Sequence, residues 1–242
     1  MDLQRTLDRQ ERAWQERPLV RREYAGFYHR IVGRLSRVPG PTVELGSGIG
    51  KFKAFKPDAV MTDVEPTRWA EAVVDAEALP YEDGTIANLV LLDVFHHVPD
   101  PARFLDEAAR VLRLGGRVVI VDPYCSPLST PVYRRFHHER TDLAALAFER
   151  DAQTGATALD SNQARATLVF YRHRDQYLRR WPSLPIVADE RFSFLVYPLS
   201  GGFTRPALLP AFLYRPLSVL ERALRPAAQL LAFRCLVVLE RR

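Results

Sequence analysis

Two rhythms of apolar residues divide the chain. Between residues 2 and 37 apolar side chains recur at helical spacing and predict one or two helices. Leu3, Leu7 and Trp14 form one set, and Tyr24, Phe27, Tyr28, Ile31 and Leu35 the next. "RVPGP" interrupts that spacing. Short continuous apolar runs then take over: "TVEL", "AVMTDVEP", "AEAVVDAEALP", "IANLVLLDVFHHV" and "RVVIVDPY" predict five strands. Runs rich in Val, Ile and Leu suit strands buried on both faces of a parallel sheet. Before the fifth, "DPARFLDEAARVL" predicts a helix. Pro101 stands near its start, Phe104, Leu105, Ala108, Val111 and Leu112 are its apolar positions, and Gly115 and Gly116 follow its end. Short buried strands alternating with helical crossovers define an α/β doubly wound, Rossmann-like fold.

Past Tyr124 the pattern changes. Residues 124–185 show no strand signal and are rich in Arg, His and aromatics, so an inserted helical segment is expected at about 125–190. "RFSFLVYPL" and "FRCLVVLERR" predict two late strands, separated by a Pro-interrupted helical insert at about 203–230. Residues 1–38 are then an N-terminal helical segment, and 39–242 one domain carrying both inserts.

Composition adds limits. With 242 residues, 47% hydrophobic and 26% charged, the chain is long enough for one domain with a substantial core. Its net charge of +5 comes from interleaved basic and acidic residues, which permits an anionic substrate or membrane surface and demands no nucleic acid. The two cysteines, Cys125 and Cys235, have no metal-ligand spacing and form no disulfide framework. The first residues, charged throughout, lack the apolar core of a secretion signal. No apolar run reaches the roughly 18 residues of a spanning helix, so none is expected, and the two cysteines read most simply as reduced thiols of a cytoplasmic protein.

The chemistry begins at "VELGSGIG", where Gly46, Gly48 and Gly50 follow the first predicted strand. A dinucleotide loop has the spacing G-x-G-x-x-G, but its third glycine would fall on Lys51. A phosphate loop needs G-x-x-x-x-G-K-[ST], which is also missing. Glu44, two residues before the first glycine, suits a cationic or hydroxyl-bearing ligand better than a pyrophosphate. "VELGSGIG" resembles motif I of the class I S-adenosylmethionine (SAM) dependent methyltransferases. Three later segments resemble the ubiquinone-methyltransferase-like group, the type 11 methyltransferase domain: "TDVEP", "VVDAEALPYEDGTIANLVLLDVFHHV" and "EAARVLRLGGRVVIVDP". The resemblance covers residues 40–124 most strongly. It implies a seven-stranded, mostly parallel sheet with an antiparallel last strand, substrate-covering helical inserts, and SAM as cofactor.

By that resemblance Glu44 sits near the SAM amino group, and Gly46, Ser47, Gly48 and Gly50 shape the turn under methionine and ribose. Asp63, with Val64 beside it, accepts from the ribose hydroxyls. Asp75, Ala76 and Glu77 lie where the family recognises adenine, and Asp93 lies beside the methionine end, or else caps the turn that follows. The lysine-rich stretch "KFKAFKPDA" is too short for more than a stub of helix.

Methyl transfer to oxygen often needs a base. His96 and His97 follow the fourth strand, and His137 and His138 lie in "YRRFHHERTD" next to Glu139. These four are the catalytic candidates. The alternative for the first pair is local scaffolding, and for the second a charged helix face. Tyr124 is a further candidate to border the acceptor. No metal site is predicted. The activity implied is methyl transfer to a small or lipid-linked acceptor, with a hydroxyl oxygen preferred over carbon or nitrogen. A non-catalytic SAM-binding partner or sensor and a nicotinamide-dependent oxidoreductase are the rivals. The apolar, arginine-bearing segment 203–230 is a candidate for peripheral contact with the inner membrane face, for a homodimer interface, or for core packing.

Overall fold

The computed structural model describes residues 3–151, 157 and 159–242. Among the described residues seven strands form one sheet: β1 Thr42–Leu45, β2 Val60–Asp63, β3 Ala72–Val73, β4 Ile86–Leu92, β5 Leu112–Pro123, β6 Ile186–Phe192 and β7 Arg234–Glu240. Their order is β3-β2-β1-β4-β5-β7-β6. The pairs among β1 to β5 are parallel, and β7 runs antiparallel to both of its neighbours. The expected doubly wound, mostly parallel sheet is therefore present, with its order reversing between β1 and β4.

The continuous apolar runs explain the two-sided core. Leu89, Leu91, Val118, Ile120, Val237 and Leu239 pack into one apolar cluster. Their alternate neighbours Val90, Leu92, Val119, Val121, Leu236 and Val238 pack into another. Side chains of a strand alternate between faces, so each run supplies both layers. Full burial of each such side chain contributes about 1.5–3 kcal/mol.

Helices α1 (Leu3–Glu16) and α2 (Pro18–Val32) open the chain, and Pro18 begins the second where its missing N–H costs nothing. Helix α2 is part of the core: its Val20, Tyr24, Phe27, Tyr28 and Ile31 belong to the second cluster. On the opposite face α3 (Pro101–Val111) buries Phe104, Leu105, Ala108 and Val111. The Asp100 side chain caps it by accepting from the Arg103 N–H at 3.1 Å. The helix after the glycines is a single 3₁₀ turn, Lys51–Ala54, as its length requires.

Four strand boundaries differ from the sequence pattern. β4 stops at Leu92, because Asp93 takes a left-handed φ of 58° and Phe95–His97 forms a 3₁₀ turn. β3 holds two residues. β5 begins at Leu112, directly after α3. The sixth strand is Ile186–Phe192 rather than "RFSFLVYPL", and so starts inside the segment expected to be insert. Ser193 turns the chain with φ 58°, and Val196–Ser200 is a helical turn. The inserts are helical only in part: α4 (Ser129–Phe136), Arg165–Arg180 in short helical pieces, and Ala211–Leu213 followed by Tyr214–Ala223. The described residues between Phe136 and Arg165 form turns and extended chain, so His137, His138 and Glu139 lie beyond α4 and not on a helix face.

Candidate functional site

A cavity of about 510 Å³ opens at the carboxyl ends of β1, β2 and β4, where the strand order reverses. Crevices at such a switch point are the general ligand site of open α/β sheets. Its wall includes Glu44, Gly46, Ser47, Gly48, Asp63, Val64, Asp75, Ala76, Glu77 and Asp93. Gly50 alone of the cofactor candidates stays behind the wall.

The glycine loop has its shape for steric reasons. Gly46 sits at φ 68°, and a Cβ there would fall 2.5 Å from the Val94 side chain. Gly50 sits at φ 65°, where a Cβ would approach that of Trp69 to 2.9 Å. Both positions exclude a side chain on two counts. The turn is tied to β2: the Ser47 N–H donates to the Thr62 carbonyl at 2.8 Å, and the Gly48 N–H to Asp63 Oδ2 at 3.0 Å. Asp63 Oδ1 accepts from the Val64 N–H at 2.9 Å. Each carboxylate oxygen keeps a further lone pair for a ligand.

Glu44 is buried, and its Oε2 has no hydrogen-bond partner. Burial pushes this carboxyl well above its usual range, against a bond from Ser47. Glu77 is buried too, but its oxygens are taken: Oε1 accepts from the Asp100 N–H at 2.7 Å and Oε2 pairs with Arg150. Asp75 Oδ1 accepts from the Glu77 N–H at 2.8 Å, holding the turn that carries both.

Asp93 is gripped by the Arg234 guanidinium through both nitrogens, one at 2.8 Å from Oδ2. The Tyr24 hydroxyl donates to the same oxygen at 2.8 Å, and Arg234 reaches the Tyr197 hydroxyl at 2.8 Å. Sequence reasoning missed Arg234, Tyr24 and Tyr197. The one local signal was an arginine opening β7 just ahead of five apolar residues.

A second cavity, of about 740 Å³, adjoins the first and shares Gln10, Tyr24, Asp93, His97, Leu159 and Phe203 with it. All four candidate histidines line it, and so does Glu139. They converge on that carboxylate: His96 Nε2 lies 3.3 Å from Oε2, His97 Nε2 3.8 Å from Oε1, His137 Nδ1 3.6 Å from Oε2 and His138 Nε2 3.7 Å from Oε1. His96 is buried, and its Nδ1 lies 2.9 Å from Asp122 Oδ1. Burial opposes its charge, but Asp122 and Glu139 outweigh burial and push it up to about 10. His97 is held down to about 4 by burial and by the neighbouring His96 charge. Its Nδ1–H donates to the Asp160 carbonyl at 3.1 Å, which leaves the Nε2 lone pair facing the cavities. His138 is 55% exposed and stacks on His137, so it stands at the rim. Asp122 and Gln163 were not singled out in the sequence. Tyr124 does not border the cavity; it packs against Tyr171 and Arg191.

Helix α1 roofs both chambers. Leu3, Leu7, Gln10 and Trp14 face the first, and Thr6, Arg9, Gln10 and Ala13 the second. Lys51 of the glycine turn pairs with Glu11 at 2.7 Å and lies over the Trp14 ring.

Comparison with known proteins agrees with this architecture. A family model described as a methyltransferase domain, type 11, matches residues 44–120. Those residues, about a third of the chain, carry the methyltransferase-domain signature, and the likeness is to class I SAM-dependent methyltransferases. Its sequence is 49% identical over 53 residues to sarcosine/dimethylglycine N-methyltransferase of Halorhodospira halochloris, 21% of this chain and 19% of that protein. It is 44% identical over 48 residues to 27-O-demethylrifamycin SV methyltransferase of Amycolatopsis mediterranei, 20% of this chain and 18% of that one. Each match thus spans less than a fifth of the relative's own length. A structure from Thermotoga maritima titled a "possible histamine N-methyltransferase" superimposes with TM-score 0.59 at 14% identity, over 98% of this chain and 97% of that one. Geranyl diphosphate C-methyltransferase of Streptomyces coelicolor, solved with S-adenosyl-L-homocysteine, gives TM-score 0.53 at 12% identity, over 92% and 80%.

Class I methyltransferases use SAM, and the first cavity fits it chemically. A buried carboxylate without a partner, as at Glu44, is costly unless a cation or donor reaches it. SAM carries both an ammonium and a sulfonium. The glycine turn brings backbone to the cavity wall where side chains would block a ligand.

Proposed function

We propose that this methyltransferase-fold protein methylates a hydroxyl oxygen of a small or lipid-linked acceptor bound in the second cavity. When bound, SAM supplies a methyl group already activated on a sulfonium centre. The chain's residues align, exclude water and manage a proton. Glu44 pairs with the cofactor's amino group, and Asp63 accepts from the ribose hydroxyls. Asp75 and the Ala76 backbone meet adenine, with Glu77 holding that turn through Asp100 and Arg150. Asp93, fixed by Arg234 and Tyr24, forms the floor at the methionine end.

The observation that carries the reading is the histidine–Glu139 cluster on the wall of the second cavity, which reaches the first through His97. A hydroxyl acceptor must lose its proton during transfer, and this cluster is where the chamber can accommodate it. The test is production of S-adenosyl-L-homocysteine with panels of phenols, alcohols, amines and prenyl compounds, followed by NMR of the methylated product. A methyl ether is expected; an N-methyl or C-methyl product overturns the oxygen assignment. SAM binding without turnover on any panel favours the partner or sensor reading. His97→Ala should lower kcat by about 10²–10⁴-fold, the usual contribution of a positioned proton-transfer group, with SAM affinity retained.

A lipid-linked acceptor is supported by a second observation. Leu208, Phe212, Val219, Leu220 and Leu230 are exposed in the segment that also carries Arg205, Arg215, Arg222 and Arg225. Apolar side chains with interspersed cations suit the headgroup boundary of an anionic inner leaflet. Flotation with anionic vesicles should carry the protein upward. Dimerisation without vesicle binding would assign the band to a second copy instead.

A further inference from the structure

We propose that His96, His97 and Glu139 bind one divalent first-row transition cation on the wall of the acceptor cavity. The inference deepens the oxygen-methylation reading, on which its catalytic meaning rests; the binding site itself does not depend on it. Among the described residues, one ligand atom from each of these three lies within 4.8 Å of the others. Ligand atoms about 2.0–2.2 Å from a common ion stand roughly 3.0–3.5 Å apart. The 3.3 Å from His96 to Glu139 already matches, and the 3.8 Å from His97 to Glu139 closes with a small side-chain movement.

The orientation of the rings is more telling than the distances. Metal-ligating histidines give their other ring N–H to a carboxylate or backbone carbonyl, and ligating carboxylates are themselves hydrogen-bonded. All three residues meet that description. His96 turns Nδ1 to the Asp122 carboxylate and His97 turns Nδ1 to the Asp160 carbonyl. Glu139 Oε2 accepts from the Gln163 amide. Both Nε2 atoms are thereby aimed at one carboxylate. In the charged form of His96 a proton fills its gap to Glu139, and the cation would bind by displacing that proton. The proton leaves the His97 Nε2 lone pair facing a second carboxylate oxygen, an arrangement that a shared cation satisfies and a single proton does not. Two imidazoles and one carboxylate suit a first-row transition ion rather than Mg²⁺ or Ca²⁺.

Remaining coordination positions face the second cavity, which both histidines line. An acceptor hydroxyl bound there would ionise on the cation and lose its proton to solvent, with His97 then acting as a ligand in place of proton acceptor. The new O–C bond then forms as the methyl–sulfur bond breaks, giving the methyl ether and S-adenosyl-L-homocysteine.

The experiment is titration of chelator-treated protein with Co²⁺, followed by visible absorption, and with Zn²⁺, followed by calorimetry. One equivalent is expected. His97→Ala and Glu139→Gln should each weaken binding at least tenfold, and Asp122→Asn about 10–100-fold through loss of the outer partner. His173→Ala, remote from the cluster, should bind as wild type. Thermal melting and SAM calorimetry report whether each variant is folded; Asp122 is fully buried, so His97→Ala and Glu139→Gln decide if Asp122→Asn fails. Absence of saturable 1:1 binding overturns the proposal, as does wild-type affinity in both folded ligand variants. A bound ion with an N- or C-methylated product overturns only the oxygen reading. Ether formation at full rate by protein that binds no ion overturns only the cation.

Discussion

At the scale of single residues, Glu44 is the position whose chemistry is most exposed to test. Its carboxyl is buried, partly unpartnered and pushed well up by burial. Pairing with a cationic cofactor group favours the ionised form, so binding releases a proton. SAM affinity should therefore rise with pH through the elevated Glu44 pKa and level off above it. Glu44→Gln should weaken SAM by about 1.5–3 kcal/mol, the scale of hydrogen bonds to charged groups, and flatten that pH dependence. Calorimetry at several pH values, in buffers of different ionisation enthalpy, measures both. A wild-type affinity that stays level across the range would remove Glu44 from the ammonium site. Glu44 was legible because acid and glycines are neighbours in sequence. The cluster around Glu139 was legible only in pieces: each His pair stood out, but nothing local brings His96 to a carboxylate 43 positions away. Asp93 and Arg234, 141 positions apart, were unreadable for the same reason.

Among the elements, the strands with continuous apolar runs were readable because burial on both faces leaves no room for polar residues. β6 was not. It is an edge strand whose sequence, "IVADERF", carries charges and pairs on one side only. The more apolar "RFSFLVYPL" competes with it as a pattern and loses for a reason supplied from elsewhere. Glu221 Oε1 accepts from the N–H groups of Phe194, Leu195 and Val196, at 2.9, 2.6 and 2.8 Å. Those three donors cannot then serve a strand ladder. The same carboxylate fastens the helix Tyr214–Ala223 to the sheet's end. Glu221→Ala should destabilise the protein by about 3 kcal/mol, as buried donors lose a charged acceptor. Denaturant unfolding measures this; a loss under about 0.5 kcal/mol would mean that water replaces the carboxylate.

For the molecule as a whole, the packing of α2 against that helix sets a pH limit. Glu23 is buried there, and desolvation, with Glu221 nearby, raises its pKa from 4.5 to about 7. A pKa raised on folding contributes stability that is fully present below 4.5 and is lost as pH climbs through 7. The loss amounts to about 3 kcal/mol by pH 8, at 1.36 kcal/mol per unit. Glu23→Gln should match the wild type near pH 4 and exceed it at pH 8 in chemical melts. Equal stability of the two proteins at pH 8 would place Glu23 in contact with water.

The roof formed by α1 has a thermodynamic consequence. One helix spans both chambers, with Gln10 in each, and it is tied to the glycine turn through Lys51 and Glu11. A ligand that settles this helix over one chamber also prepares the other. Free energies of binding are path-independent, so cofactor and acceptor must then strengthen each other by one common factor. Replacing Glu11 by Gln should shrink that factor equally in both directions, whichever ligand is added first.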